Sequence, residues 1–396
     1  MKTVSTKNMC PICASADISI FYEITNIPAH IGILWNTKEE ALMCPKGNIS
    51  LAFCGECGFI FNLDFDPRLL EYTGPYDNSL HFSPFYQDYA RSVANRLVKN
   101  YNLYNKDIIE IGSGKGDFLS MLCEIGGNRG VGFDPSFDGK LSNNVNQITV
   151  IKDYYSERYS NYKGDLICSR NVFEHIQKPK EFLSIVRRTI GNRSNTIVYF
   201  EVPNVLLIIK DLSIWDIIYE HCSYFSLASL QRVFIECGFK TNYLTEAFEG
   251  QFVSIEAVAS SGVDKSANYN ETRDALDKIS KYVRDFSNNY KAKLEGWRDS
   301  LLKLSSAKKK IVVWGAGGKG VSFLNLLKIG DQSKYIVDIN PRKNGKYIPG
   351  TGQQIVLPAF LQDYKPDIVI VMNPVYKDEI QQTLKNLNVD TQLLYA

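Results

Sequence analysis

The sequence predicts an α/β protein: two lobes built on parallel sheets, a small cysteine-rich N-terminal domain, and a helical arm. Three observations predict it. Asp107–Asp117 and Lys310–Gly320 each run a short apolar strand into a glycine turn and then a helix, the unit from which parallel sheets are wound. Two Cys-x-x-Cys pairs, Cys10/Cys13 and Cys54/Cys57, fall near the N-terminus. At 396 residues the chain exceeds the ~100–200 of one ordinary domain, so two or three are expected.

Composition excludes several classes. Hydrophobic residues make up 44% and charged residues 22%, an ordinary globular balance. With 45 basic against 43 acidic residues, nothing in the net charge points to a nucleic-acid or membrane-surface partner. No apolar run approaches the ~20 residues of a membrane span, and Met1-Lys2-Thr3-Val4 opens no signal-peptide core. Nine cysteines, an odd number scattered along a long chain, fit a reducing compartment better than a disulfide framework. A soluble, cytoplasmic protein is therefore expected.

The N-terminal domain is expected over residues 1–90. Cys10-Pro11-Ile12-Cys13 and Cys54-Gly55-Glu56-Cys57 form two knuckles whose tight turns let four thiolates converge. Two such knuckles supply the closed tetrahedral set of a structural Zn2+ site, which leaves no position for substrate. Cys44 and His30 are expected to be bystanders. Cys123, Cys168, Cys222 and Cys237 sit singly in apolar surroundings and read as core residues.

The central domain is expected over 91–262. Asp107-Ile108-Ile109-Glu110-Ile111 reads as a buried strand, Gly112-Ser113-Gly114-Lys115-Gly116 as a turn that brings backbone close to a ligand, and Phe118 onward as a helix. A dinucleotide turn would read G-x-G-x-x-G; here the third glycine comes one residue early. Gly130-Val131-Gly132-Phe133-Asp134 then ends a second strand in an acid, and Asp165-Leu166-Ile167-Cys168 begins another. Ordinary N-caps and turns in a Rossmann-like sheet are the plain alternative.

The G-x-G-x-G spacing with its preceding acid resembles motif I of class I S-adenosylmethionine-dependent methyltransferases. The resemblance implies that Glu110 meets the methionine end of the cofactor, with Gly112, Ser113, Gly114 and Gly116 beneath its sugar and sulfonium. Asp134 would take the ribose hydroxyls, Asp153 the adenine, and the loop Asn171–Ile176 would cover the methyl group. Tyr219-Glu220-His221-Cys222-Ser223-Tyr224-Phe225 narrows the likeness to sugar C-methyltransferases acting on nucleotide-linked ketosugars, three-domain enzymes with a four-cysteine zinc domain and a second Rossmann-like lobe. By that resemblance His221 is the base, assisted by Tyr219, Glu220, His175 and Tyr76. Family members read Tyr-His-Glu-His where this chain reads Ile218-Tyr219-Glu220-His221, so Ile218 stands at the family's tyrosine position. Histidine titrates near neutrality and suits removal of a proton alpha to a carbonyl.

Apolar residues from Leu276 to Leu304 recur every three or four positions, predicting a helical arm over 263–306 that packs between lobes or pairs two chains. Residues 307–396 read as the second lobe: Gly315-Ala316-Gly317-Gly318-Lys319-Gly320 and Asp338 look like a dinucleotide site when taken alone. The resemblance instead implies a lobe without a cofactor, one that helps enclose the nucleotide-sugar. The expected reaction is methyl transfer from S-adenosylmethionine to a carbon of a nucleotide-diphosphate ketosugar, by a monomer or homodimer. Oxygen or nitrogen methylation of a sugar or other small polar metabolite is one alternative, motivated by Ile218. A non-catalytic nucleotide-sugar-binding protein is another.

Overall fold

The computed structural model describes residues 9–70, 76–142, 147–260, 269–330 and 332–396. The expected turn residues Gly74 and Pro75 and the expected boundary between 262 and 263 lie outside the described residues. In the N-terminal domain, β1 (Ile18–Pro28), β2 (Lys46–Cys54) and β3 (Ile60–Asn62) build an antiparallel sheet, with α1 (Lys38–Leu42) in the β1–β2 connection.

The central domain follows as α2 (Pro84–Asn100), β4 (Asp107–Ile111), α3 (Asp117–Gly126), β5 (Arg129–Phe133), β6 (Ile148–Ile151), β7 (Leu166–Arg170) and α4 (Pro179–Ile190). It continues with β8 (Ile197–Pro203), α5 (Val205–Lys210), β9 (Ser223–Tyr224), α6 (Leu227–Glu236), β10 (Phe239–Ala247) and β11 (Phe252–Ala259). Ser83 caps α2 by accepting from the Tyr86 amide, and Pro84 takes the first turn. The helix runs through residue 90, so this domain begins at the Ser83 cap.

Its seven strands lie in the order β6-β5-β4-β7-β8-β11-β10, and β11 runs against both of its neighbours. Strands β7 and β8 are buried nearly throughout, as a sheet covered on both faces requires. The order reverses at β4, which puts the glycine turn at the switch point where such sheets bind ligands. Strand β9 leaves this domain altogether. It pairs with β3 as the fourth strand of the N-terminal sheet, Phe61 opposite Ser223 and Ile60 opposite Tyr224.

One long helix, α7 (Tyr269–Ser306), leads to the C-terminal lobe. That lobe comprises β12 (Ile311–Trp314), α8 (Gly318–Leu327), β13 (Tyr335–Val337), β14 (Gln354–Val356), α9 (Leu361–Tyr364), β15 (Ile368–Val371), α10 (Lys377–Asn386) and β16 (Gln392–Tyr395). Its strands are all parallel, in the order β14-β13-β12-β15-β16.

The lobes share a core. Phe286 of α7 lies edge-on to Phe21 and Tyr22 of β1, with centroids 5.9 and 5.7 Å apart. The same apolar cluster takes in Trp215 and Ile218 from the central domain and Val321 and Phe323 from α8. Separating the lobes would return that surface to water. The Tyr347–Gly350 turn docks the other side, its Tyr347 amide donating to Trp35 O at 3.1 Å and its Gly350 amide to Ala41 O at 2.8 Å. No helix among the described residues is long and apolar enough to cross a membrane.

Candidate active site

A cavity of about 640 Å³ opens at the C-terminal ends of β4, β5 and β7, walled by all three lobes. At its floor Glu110 is buried, 3% exposed, and its Oε2 has no hydrogen-bond partner among the described residues. Burial pushes its carboxyl up to about 8, opposed by the nearby Arg170 charge. Gly112 (φ +74°) passes so close to the next loop that a Cβ there would lie 2.1 Å from Val172 Cγ2. Gly114 (φ +54°) faces open space, with nothing within 4 Å of a Cβ placed on it. That is where a ligand can meet bare backbone.

Asp134 is oriented by its own turn: Oδ2 accepts from the Gly114 amide at 2.7 Å, and Oδ1 from the Ser136 amide at 2.8 Å. Glu110, Gly112, Ser113, Gly114, Asp134 and Asn171 all line the cavity. Gly116 does not; it caps α3. Asp153 is also turned away, its carboxylate taken by Arg158 and the Tyr159 hydroxyl, while its neighbours Tyr154 and Tyr155 line the wall. These groups fit S-adenosylmethionine: the unpartnered Glu110 oxygen suits an ammonium, the exposed Gly114 backbone a close approach, and Asp134 a pair of hydroxyls.

Glu174, His175 and His221 meet on the wall of the same cavity. Glu174 Oε1 is 4.0 Å from Nε2 of both histidines, and the two rings stand edge to face at 5.0 Å. Burial raises the Glu174 carboxyl to about 8. It also lowers the His175 imidazole and holds His221 well below the ordinary range, helped there by the His175 charge. His175 Nδ1 is 2.9 Å from the Glu220 carbonyl.

The Glu220 side chain points the other way. Its Oε1 accepts from the Ile31 amide at 2.8 Å and its Oε2 from the Tyr76 hydroxyl at 3.1 Å, fastening the N-terminal domain to the histidine loop. Tyr76 lines the cavity and Tyr219 does not. Tyr219 stacks on Phe65, and its hydroxyl accepts from the Asp66 amide at 2.8 Å. Ile218 takes the cavity wall in its place.

Sequence reasoning misses Arg170 and Glu201. The buried Arg170 guanidinium pairs with Glu201 Oε1 at 2.8 Å, donates to Tyr86 OH at 3.0 Å, and lies 4.3 Å from the Phe118 ring centroid. A signal exists: an arginine closing the buried strand Leu166–Arg170 must have a buried partner. His81, also on the wall, is lowered to about 4 by burial. Glu174 gains its place here as well, since nothing in its local sequence sets it apart from an ordinary loop acid.

On the C-terminal side, Asp338 Oδ2 accepts from the Ala316 amide at 2.9 Å and lies 3.4 Å from Lys343 Nζ, so the would-be ribose acid is already engaged. Gly318 is covered by Ile31 and Ile218. Lys319, Arg342 and Lys343 reach the cavity, Lys319 paired with Asp216 at 2.6 Å and Arg342 with Asp77 at 2.9 Å.

The four knuckle sulfurs lie within 4.8 Å of one another, Cys10–Cys57 and Cys13–Cys54 at 3.5 Å. A tetrahedral zinc with ~2.3 Å bonds needs sulfur–sulfur edges of ~3.8 Å, so this donor set fits one. Lys180 donates to Ile12 O at 3.0 Å and Arg232 to Glu56 O at 3.4 Å, which puts two cations beside the thiols.

Strand order, glycine turn and paired acids together define a class I S-adenosylmethionine-dependent methyltransferase. A family described as a methyltransferase domain matches residues 83–244, and one described as the C-methyltransferase C-terminal domain matches 255–394. The two matches lie one after the other along the chain, which is an S-adenosylmethionine-dependent methyltransferase. The C-methyltransferase NovU of Streptomyces niveus is 24% identical over 306 residues, 74% of this chain and 72% of the relative. The mitochondrial ubiquinone biosynthesis O-methyltransferase of Dictyostelium discoideum is 26% identical over 102 residues, 21% of this chain and 32% of the relative. Among solved structures, magnesium protoporphyrin IX methyltransferase from Synechocystis PCC 6803 with bound SAH is 17% identical. That likeness covers 48% of this chain and 91% of the other, with a TM-score of 0.35.

Proposed function

We propose that this enzyme methylates a carbon of a nucleotide-diphosphate-linked ketosugar. The observation that carries the reading is one cavity joining the Glu110–Asp134 turn, the Glu174–His175–His221 centre and the basic residues of the C-terminal lobe. Its volume is in the ~300–1,000 Å³ range of small-molecule sites. When bound, S-adenosylmethionine supplies the methyl electrophile. Glu110, Gly112, Ser113, Gly114, Asp134 and Asn171 hold and orient it, which supplies the proximity such a displacement needs. Lys319, Arg342 and Lys343 suit a diphosphate. The alpha proton is removed at the His221 centre, where burial keeps the imidazoles unprotonated and able to accept it. Tyr76 and Glu220 hold that centre against the N-terminal domain. Cys10, Cys13, Cys54 and Cys57 bind a structural zinc that fixes the N-terminal sheet. The near-neutral charge suits a cytoplasmic enzyme, monomer or homodimer, whose partner is this small molecule and neither nucleic acid nor membrane.

One observation favours a second reading. With Ile218 on the wall and Tyr219 held by Asp66, the cavity lacks a tyrosine at that position, and an oxygen or nitrogen acceptor would need no enolate. Solvent exchange separates the two. With S-adenosylhomocysteine bound, the carbon enzyme washes deuterium from solvent into the ketosugar; absence of exchange alongside methylated product would establish a heteroatom acceptor. Mass spectrometry on a panel of nucleotide-ketosugars names the substrate.

A further inference from the structure

Removing an alpha proton puts negative charge on the acceptor's carbonyl oxygen, and a donor already in place at that oxygen stabilises it. Around His221 the side-chain hydrogens are nearly all committed. The Tyr76 hydroxyl donates to Glu220 Oε2 at 3.1 Å, and the Tyr219 hydroxyl, away from the cavity, to Asp66 O at 3.3 Å. Ile218 has no donor to offer. The Glu220 carbonyl beside His175 Nδ1 only accepts, so Nδ1 carries the hydrogen and Nε2 the lone pair. Glu174 is left. It lines the cavity, is 2% exposed, and its Oε2 has no hydrogen-bond partner among the described residues. Burial raises its carboxyl to about 8, so at neutral pH it is an acid with one O–H to donate. The Cys222 amide donates to Glu174 O at 3.0 Å, and Ser223 Oγ to Ile176 O at 2.8 Å, which fixes this loop against the histidine loop. Glu174 Oε1 stands 4.0 Å from His221 Nε2. An alpha carbon and its carbonyl oxygen are about 2.4 Å apart, given bonds of ~1.5 and ~1.2 Å. An acid and a base so spaced reach both ends of one keto unit over contacts of ~3 Å.

We propose that Glu174 is a catalytic residue, the acid that donates to the acceptor's carbonyl oxygen while His221 takes the alpha proton. It supplies the donor that Ile218 does not. The inference deepens the proposed function and rests on it. His221 Nε2 accepts the alpha proton, the C–H electron pair becomes a carbon–carbon double bond, and the carbonyl pair moves to oxygen, which takes the Glu174 hydrogen. The enol carbon then bonds to the methyl group as the methyl–sulfur bond breaks. The C=O bond reforms, the hydrogen returns to Glu174, and His221 passes the alpha proton to water.

The test follows deuterium exchange from solvent into the ketosugar, with the full-length chain at saturating S-adenosylhomocysteine, which removes the effect of Glu110 on cofactor binding. Glu174→Leu takes away the donor and should slow exchange at least about a hundredfold, the scale of losing one such donor, with S-adenosylmethionine affinity unchanged. Glu174→Gln keeps the shape and an N–H donor but has no proton to transfer, so it should lose less. The pH profile separates chemistry from packing. The titratable groups facing Glu174 are His175 and His221, with Glu201 and the Cys222 thiol behind; burial lowers the histidines and raises the thiol to about 12, away from the Glu174 range. Wild-type exchange should therefore fall about tenfold per unit above about 8, where Glu174 loses its proton, and Glu174→Gln should abolish that fall. Exchange at the wild-type rate in either variant, or a fall that persists in Glu174→Gln, overturns the role of Glu174 and leaves carbon methylation standing. A wild-type enzyme that yields methylated product with no exchange on any ketosugar overturns the carbon reading itself, and this inference with it.

Discussion

Phe61, just past the second cysteine knuckle, is paired across an antiparallel ladder with Ser223, just past His221. The N-terminal sheet thereby holds the histidine loop by backbone hydrogen bonds, and a disturbance at the cysteines reaches the cavity without touching it.

Cys54→Ser is therefore expected to lose zinc, measured by plasma mass spectrometry. It should also lower methyl transfer by more than about tenfold, the scale of losing a supporting shell, while S-adenosylmethionine affinity stays near wild type. A variant that loses zinc and keeps full activity would break the link between the knuckles and the histidines.

The Glu110 carboxyl, raised to about 8, makes cofactor binding depend on pH. Below that value the folded enzyme holds the acid neutral, and an ammonium gains nothing from it. Affinity for S-adenosylmethionine should rise with pH and level off above about 8, falling up to about tenfold per unit below it. Calorimetric titrations across this range should show the slope, and Glu110→Gln should flatten it. A flat wild-type profile would show that Glu110 does not meet the ammonium.

Tyr219→Phe removes the hydroxyl that accepts from the Asp66 amide. A stability loss of about 1–3 kcal/mol is expected in urea unfolding, from the donor left unpaired, with little change in solvent exchange. Lost exchange with unchanged stability would instead put Tyr219 in the chemistry.

Phe286→Ala empties a fully buried position between α7 and β1. It should cost about 3–5 kcal/mol. Denaturant curves read at the C-terminal lobe and at the N-terminal domain should shift together, because one core joins them; a shift confined to one would divide that core.

Features set by near neighbours in the chain are legible in the amino-acid sequence. The glycine turn after β4, the acid ending β5, both knuckles and the stripe of α7 each follow from a few consecutive residues, and all stand where expected. Directions of single side chains are not legible in this way. Tyr219 and Ile218 differ by one position, and the stacking of Tyr219 on Phe65 decides which of them faces the cavity. Motif position makes Asp153 a ligand acid, but Arg158 claims its carboxylate.

By itself the sequence determined the fold class, the methyltransferase turn and the cysteine set, because strand periodicity, glycine spacing and knuckle spacing are local. Only the tertiary structure decided that β9 joins the N-terminal sheet, that Arg170 meets Glu201, and that Glu174 stands between two histidines. Each of these joins residues far apart in the chain, and burial of polar groups, which must find partners away from water, selects them.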